Sequence, residues 1–197
     1  TPLLGHEDRI LPYVYTPQLM EALEKAVSQA EQLADSDVTR LHVKADRLIL
    51  EHLKAYRAMH EAEFNAAFAA AVREADIMFE HRRALNAICP FFNMPEGGEG
   101  IARYYSGAWY WNLTDRKAHY QKLNDLVTGK TGRLVAMAPK RVKFALDPAD
   151  QGRYLNWYQP DYDRTNWREL DTTVPYYLQG YLDERGIPYA GNMWYVF

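Results

Sequence analysis

Several things are scarce in this chain of 197 residues, and each scarcity closes off a class of function. Cysteine occurs once, at Cys89, so an internal disulfide and a thiolate zinc site are both excluded. No apolar run approaches the eighteen or so residues that a membrane-spanning helix requires, so no membrane partner is expected. The first fifteen residues, TPLLGHEDRILPYVY, lack the basic start and apolar centre of a signal peptide. They also begin without Met, and a processed or excised end is expected there.

Charge is uneven without being concentrated. Residues 1–99 carry 10 Lys and Arg against 16 Asp and Glu, a net of −6, and residues 100–197 carry 13 against 10, a net of +3. The basic residues of the second half are scattered between carboxylates, and phosphate neutralisation needs a grouped patch, so nucleic acid is not an expected partner.

Motifs for small-molecule chemistry are also missing. The six histidines form neither His-Glu-x-x-His nor Glu-x-x-His. His52 and His60, eight apart on one helical stripe, read as partly buried side chains rather than ligands, so no metal is expected. PEGGEG and Thr128-Gly129-Lys130-Thr131-Gly132 have phosphate-loop residue types without the spacing, and the second ends a helix instead of opening one. No Gly-x-Ser-x-Gly occurs, and no cofactor is expected. The carboxylate pairs Glu61/Glu63, Asp161/Asp163 and Asp183/Glu184 read as surface charge or turn-forming Asp. A self-contained enzyme would need a convergent acid, base and electrophile that the sequence does not display, so no catalytic residue is assigned.

What is present divides in two. Thr16-Pro17 is a helix start, and Leu19, Leu23, Ala26, Val27, Ala30 and Leu33 predict a helix over about 17–34. Asp35-Ser36-Asp37 breaks it and caps a second stripe running from Val38 to Met59. A third, from Phe64 to Leu85, ends before Pro90. A break is expected near 58–63, and the three helices predict an antiparallel bundle. After a Pro- and Gly-rich loop and the aromatic cluster around Trp109 and Trp111, a fourth helix is expected at about 114–127, closed by Gly129.

From Arg133 the period changes to two, with LVAMA and RVKFAL as successive strand candidates. The predicted organisation is α+β: a helical bundle with its aromatic loop over 1–131, then a partial antiparallel β-sandwich over 132–197. Sixty-five residues supply about five or six strands at most, where a full sandwich takes about 100 residues, so the tail is expected to be the first part of a β domain.

The tail from Pro139 holds three of the five tryptophans and eight of the fifteen tyrosines. Exposed rings offer flat faces for sugar C–H groups while neighbouring Asp, Asn and Arg serve hydroxyls. Trp157, Trp167, Trp109 and Trp111 are the candidate carbohydrate-binding residues; the competing account is that the rings form the core of a small β domain. Trp194, inside a terminal strand, is expected in the core.

Asn166-Trp167-Arg168-Glu169-Leu170, Val174-Pro175, Gln179-Gly180 and Tyr189-x-Gly191-x-x-Trp194-Tyr195-x-Phe197 resemble the opening of the galactose-binding-like jelly-roll of bacterial glycoside hydrolases, as in the β-galactosidase/β-glucuronidase family (glycoside hydrolase family 2). Lys143-Phe144-x-x-Asp147-Pro148-x-Asp150-x-Gly152, with Trp157, fits the same domain. The helical part, through Leu85-Asn86-x-x-x-Pro90-Phe91-Phe92, resembles the bundle that follows the barrel in α-glucuronidase-like glycosidases. The resemblance implies a non-catalytic accessory region of a glycoside hydrolase, with carbohydrate as ligand, the catalytic carboxylates on an upstream barrel, and a secreted or periplasmic location. The alternative is a structural or interaction module that packs on another domain or chain and binds no sugar.

Overall fold

A computed structural model describes residues 13–89 and 113–196. They comprise four helices and one three-stranded antiparallel sheet, an α+β architecture, and divide after Leu134 into two compact units.

In the helical unit, α1 spans Pro17–Leu33, α2 Asp37–Phe64, α3 Phe68–Ile88 and α4 Leu113–Val127. Thr16 caps α1 by accepting the Leu19 amide, with Pro17 at the first helical position, and Ser36 caps α2 by accepting the Thr39 amide. The break expected near 58–63 falls instead at Asn65–Ala67. The polar-looking run there is deceptive: Met59, His60 and Ala62 are all buried, so the apolar face of α2 continues to Phe64. Ala66, with φ 52°, turns the chain, and the Asn65 side chain donates to the Glu61 carbonyl.

The helices pair antiparallel along the chain. Arg47 bonds Glu31 and Glu24 while Lys54 reaches back to Glu24, so α1 runs against α2. These two cations hold Glu24 down to about 2, Lys54 contributing first and Arg47 next. Between α2 and α3 the contact is made by small residues, Ala55, Ala62, Ala71 and Ala75, which lets the backbones approach, with Met59, Met78 and Phe79 filling the space around them. Tyr120 carries α4 into this core, fully buried and stacked on Phe68. Gly129, at φ 93°, ends α4, and the Lys130 and Thr131 amides turn back onto the Asp125 carbonyl.

In the sheet unit, β1 spans Arg141–Asp147, β2 Arg168–Asp171 and β3 Asn192–Val196, in the order β2-β1-β3. Val142 pairs with Leu170 on one side of β1 and Ala145 with Trp194 on the other. LVAMA, expected as a strand, is not one: 134–138 has no ladder, and Arg133 makes only a single bridge, to Thr128. Nor do the described residues contain the second sheet of a sandwich. Each face of the one sheet is covered by chain that is not strand.

Alternation places Val142, Phe144, Leu146, Leu170 and Met193 on the first face, packed with Tyr181 and Tyr176 from the segment after β2. Lys143, Ala145, Asp147 and Trp194 occupy the second. The outer edge of β2 is closed by side chains. Thr172 donates its amide to the Lys140 carbonyl, so by alternation Glu169 and Asp171 present their backbone groups outward. There the Gln179 amide accepts from the Asp171 N–H and donates to the Asp171 carbonyl, and the Tyr181 hydroxyl donates to the Glu169 carbonyl. Such capping removes the pairing template that an open edge offers.

One half-buried pair makes the helical unit sensitive to acid. Arg82 Nε donates to His52 Nε2 at 3.1 Å, which only a neutral imidazole can accept. Burial first, and then the charges of Arg82 and His81, lower His52 from 6.5 to about 4. The unfolded chain takes the proton that the native imidazole refuses, so stability is complete above pH 6.5 and is lost as pH falls toward 4, by up to about 3 kcal/mol. Replacing His52 with Gln keeps an acceptor for Arg82 and removes the titration. Urea unfolding from pH 4 to 7 will show a flatter profile for His52→Gln than for the wild type, and parallel profiles would contradict the assignment.

Candidate functional site

The second face of the sheet meets the segment 148–167, a run of turns between β1 and β2. Its anchor is Asp147, the last residue of β1, whose carboxylate is buried. One oxygen accepts the Gln151 amide at 2.8 Å; the other accepts the Gly152 amide at 2.8 Å and the Trp194 indole at 2.9 Å. Burial disfavours the charge, but the Gly152 and Gln151 amides and then the Trp194 indole outweigh it, so the carboxyl lies below its ordinary value. Three donors from two parts of the chain thus fix the loop's start against β3.

On this anchor stands an aromatic cluster. Trp157 meets Trp167 edge to face at 5.4 Å between centroids and Trp194 at 6.1 Å, with Tyr162 at 6.2 Å from both Trp157 and Trp167. The Arg164 guanidinium lies 5.6 Å from the Tyr162 centroid and 5.5 Å from that of Trp167. It also donates to four carbonyls of its own loop, those of Trp157 and Gln159 at 2.6 Å, Tyr162 at 3.0 Å and Pro160 at 3.4 Å. Carbonyls that converge in this way would otherwise repel one another, and the cation offsets that repulsion. Two buried donors, Arg164 Nε and Trp157 Nε1, have no acceptor among the described residues, a cost of about 1–3 kcal/mol each that the packing has to exceed.

The expected site residues divide accordingly. Trp157 and Trp167 are brought together, but half-buried and turned on each other rather than side by side as an open platform. Trp194, expected in the core, joins them. Trp109 and Trp111 lie outside the described residues. Neither Arg164 nor Asp147, which hold the cluster, was among the expected site residues; Asp147 entered only within the motif Asp147-Pro148-x-Asp150-x-Gly152 that carries the resemblance, and Arg164 only as an Arg set among the aromatics of a turn-rich loop.

Two members of the carboxylate pairs, Asp163 and Asp183, act locally. Asp163 accepts the Thr165 amide and hydroxyl, and Asp183 accepts the Arg185 and Ile187 amides, so both close turns. In the helical unit, Glu63 accepts the Tyr120 hydroxyl at 2.6 Å, and Arg116 Nη1 lies 3.2 Å from His60 Nε2. Burial, and then Glu63, push the Tyr120 phenol well up, so it keeps its proton and serves as a buried donor, not a nucleophile. No group of three or more metal-ligating side chains occurs among the described residues. No helix among them is long and apolar enough to cross a membrane.

No protein-family model, curated protein or solved structure matches this chain.

Gly152 is the tightest point of the anchor. A β-carbon there would lie 2.5 Å from Trp194 Cε2 and 2.9 Å from Asp147 Oδ2, although the backbone is not in the left-handed region. Space, not φ, demands glycine. Gly152→Ala will lower the stability of the sheet unit by roughly 1–3 kcal/mol, the usual cost of overpacking, and shift Trp emission. A variant as stable as the wild type would show that Asp147 and Trp194 are not locked as described.

Proposed function

We propose that this chain is a non-catalytic accessory portion of a carbohydrate-active glycoside hydrolase, a helical bundle joined to part of a carbohydrate-binding-type domain. The supporting observation is the mutual dependence of Asp147, Gly152, Trp157, Trp167 and Trp194. These are residues on which the resemblance to the galactose-binding-like jelly-roll rests, and they meet in one cluster on one sheet.

Their arrangement favours binding over chemistry. The described carboxylates with defined partners close turns or hold the fold, and the buried phenol of Tyr120 keeps its proton. The proposal puts the catalytic carboxylates on an upstream barrel and gives this chain weak sugar affinity at most.

A second reading is an interaction module without sugar affinity. Leu33, Val38 and Leu41, exposed on either side of the α1–α2 turn, favour it.

Titration with a panel of oligosaccharides, followed by Trp fluorescence, distinguishes the two. The accessory reading predicts a saturable change for at least one glycan at millimolar concentration. No change for any glycan, together with concentration-dependent self-association in light scattering, would favour the interaction module.

A further inference from the structure

We propose that the outer edge of β3 is a self-pairing edge, at which two copies of this chain join their β3 strands antiparallel about a two-fold axis at Trp194. The proposal follows from the register of the sheet and holds whether or not a glycan binds.

The register fixes which backbone groups face outward. The Thr172 amide donates to the Lys140 carbonyl, so along β1 the even-numbered residues turn their backbone groups to β2 and the odd-numbered ones to β3. Lys143, Ala145 and Asp147 stand opposite Val196, Trp194 and Asn192. Those three residues of β3 therefore bond inward, and Met193 and Tyr195 present their N–H and C=O groups to the outside. None of these outward groups has a partner among the described residues.

The two edges of the sheet differ. β2 carries Arg168, Glu169 and Asp171, and its outward groups are met by Gln179 and Tyr181. β3 lacks the devices that keep an edge from pairing. No Asp, Glu, Lys or Arg lies in 187–197, and the one proline there, Pro188, precedes the strand.

Alternating backbone donors and acceptors select an extended strand as partner, and the sequence of β3 selects a second β3. About a two-fold at Trp194, Met193 of one copy lies opposite Tyr195 of the other, and each such pair exchanges both of its N–H···O bonds. This is the register in which both outward residues of each strand find partners within β3. With no charged residue in 187–197, the two strands bring no like charges together. On the first face the thioether and the phenol become cross-strand neighbours. They already touch within one chain, where the Tyr195 hydroxyl lies 3.5 Å from Met193 Sδ. The pair closes on itself and leaves only the capped β2 edges.

Sedimentation equilibrium of the full chain, from micromolar to near-millimolar concentration, tests the association. The expected result is a reversible monomer–dimer equilibrium. Tyr195→Pro deletes an outward N–H without removing a bond to β1, whereas Tyr195→Ala deletes the same ring and keeps that N–H. The proline variant should dimerise about tenfold or more weakly than the alanine variant, the scale of lost backbone bonds. Register is read separately, with Cys89 replaced by Ser. Asn192→Cys/Val196→Cys should give a covalent dimer on oxidation, because these positions face each other in the closely spaced pairs that a disulfide can span. Asn192→Cys alone should not, and this cross-link decides if proline unfolds the unit. A chain monomeric at every concentration would overturn the proposal. Equal dimerisation of the proline and alanine variants would also overturn it, moving the contact to another surface such as the exposed Leu33, Val38 and Leu41. Growth past the mass of a dimer would overturn the two-fold, and cross-linking by Asn192→Cys alone would overturn the register.

Discussion

The sheet unit depends on one buried carboxylate. Asp147 ends β1, and without its negative charge the amides of Gln151 and Gly152 and the indole of Trp194 would lose the acceptor they converge on. A charge buried in this way is tolerated only when its lone pairs are met, and three donors meet them. The consequence reaches further than the bonds themselves. By holding Trp194 on one side and the start of the 148–167 segment on the other, Asp147 sets where Trp157 can lie, and Trp157 in turn meets Trp167 and Tyr162. Arg164 closes the far end of the same loop from within, using its own carbonyls as ligands.

This division of labour changes what the aromatic richness of the tail means. Aromatic rings serve either as packing or as surface, and composition does not distinguish the two. Here the large indoles supply packing for a sheet that has no second sheet over it among the described residues, and the exposed positions between them fall to tyrosines. A small unit with three strands buries little apolar area per residue, and wide rings on one face with Tyr176 and Tyr181 on the other make up for part of that deficit.

Much of the helical unit was legible because its signal is periodic. The α1 start at Thr16-Pro17, the end of α3 before Pro90 and the Gly129 terminus of α4 all follow from local chemistry that tertiary contacts did not override. The α2–α3 turn was not, because His60 and Met59 look like an interruption until Tyr56 and Arg116 are known to surround the imidazole. LVAMA was misread for the opposite reason. It has strand propensity but no neighbouring strand, and propensity without a partner makes no ladder. RVKFAL had the same propensity and two partners. The candidate tryptophans were identifiable by type, but their exposure depended on Arg164 and Asp147, whose partners lie up to 47 residues away in sequence.

The measurement that tests this account most directly is the indole N–H spectrum of Asp147→Asn. An Asn side chain presents an N–H₂ group where one carboxylate oxygen stood, so that either the Gln151 amide, or the Gly152 amide together with the Trp194 indole, faces a donor. If Asp147 organises the cluster, the indole resonances of Trp157, Trp167 and Trp194 will all shift or broaden together. A spectrum in which Trp194 alone moves, with Trp157 and Trp167 unchanged, would contradict that claim.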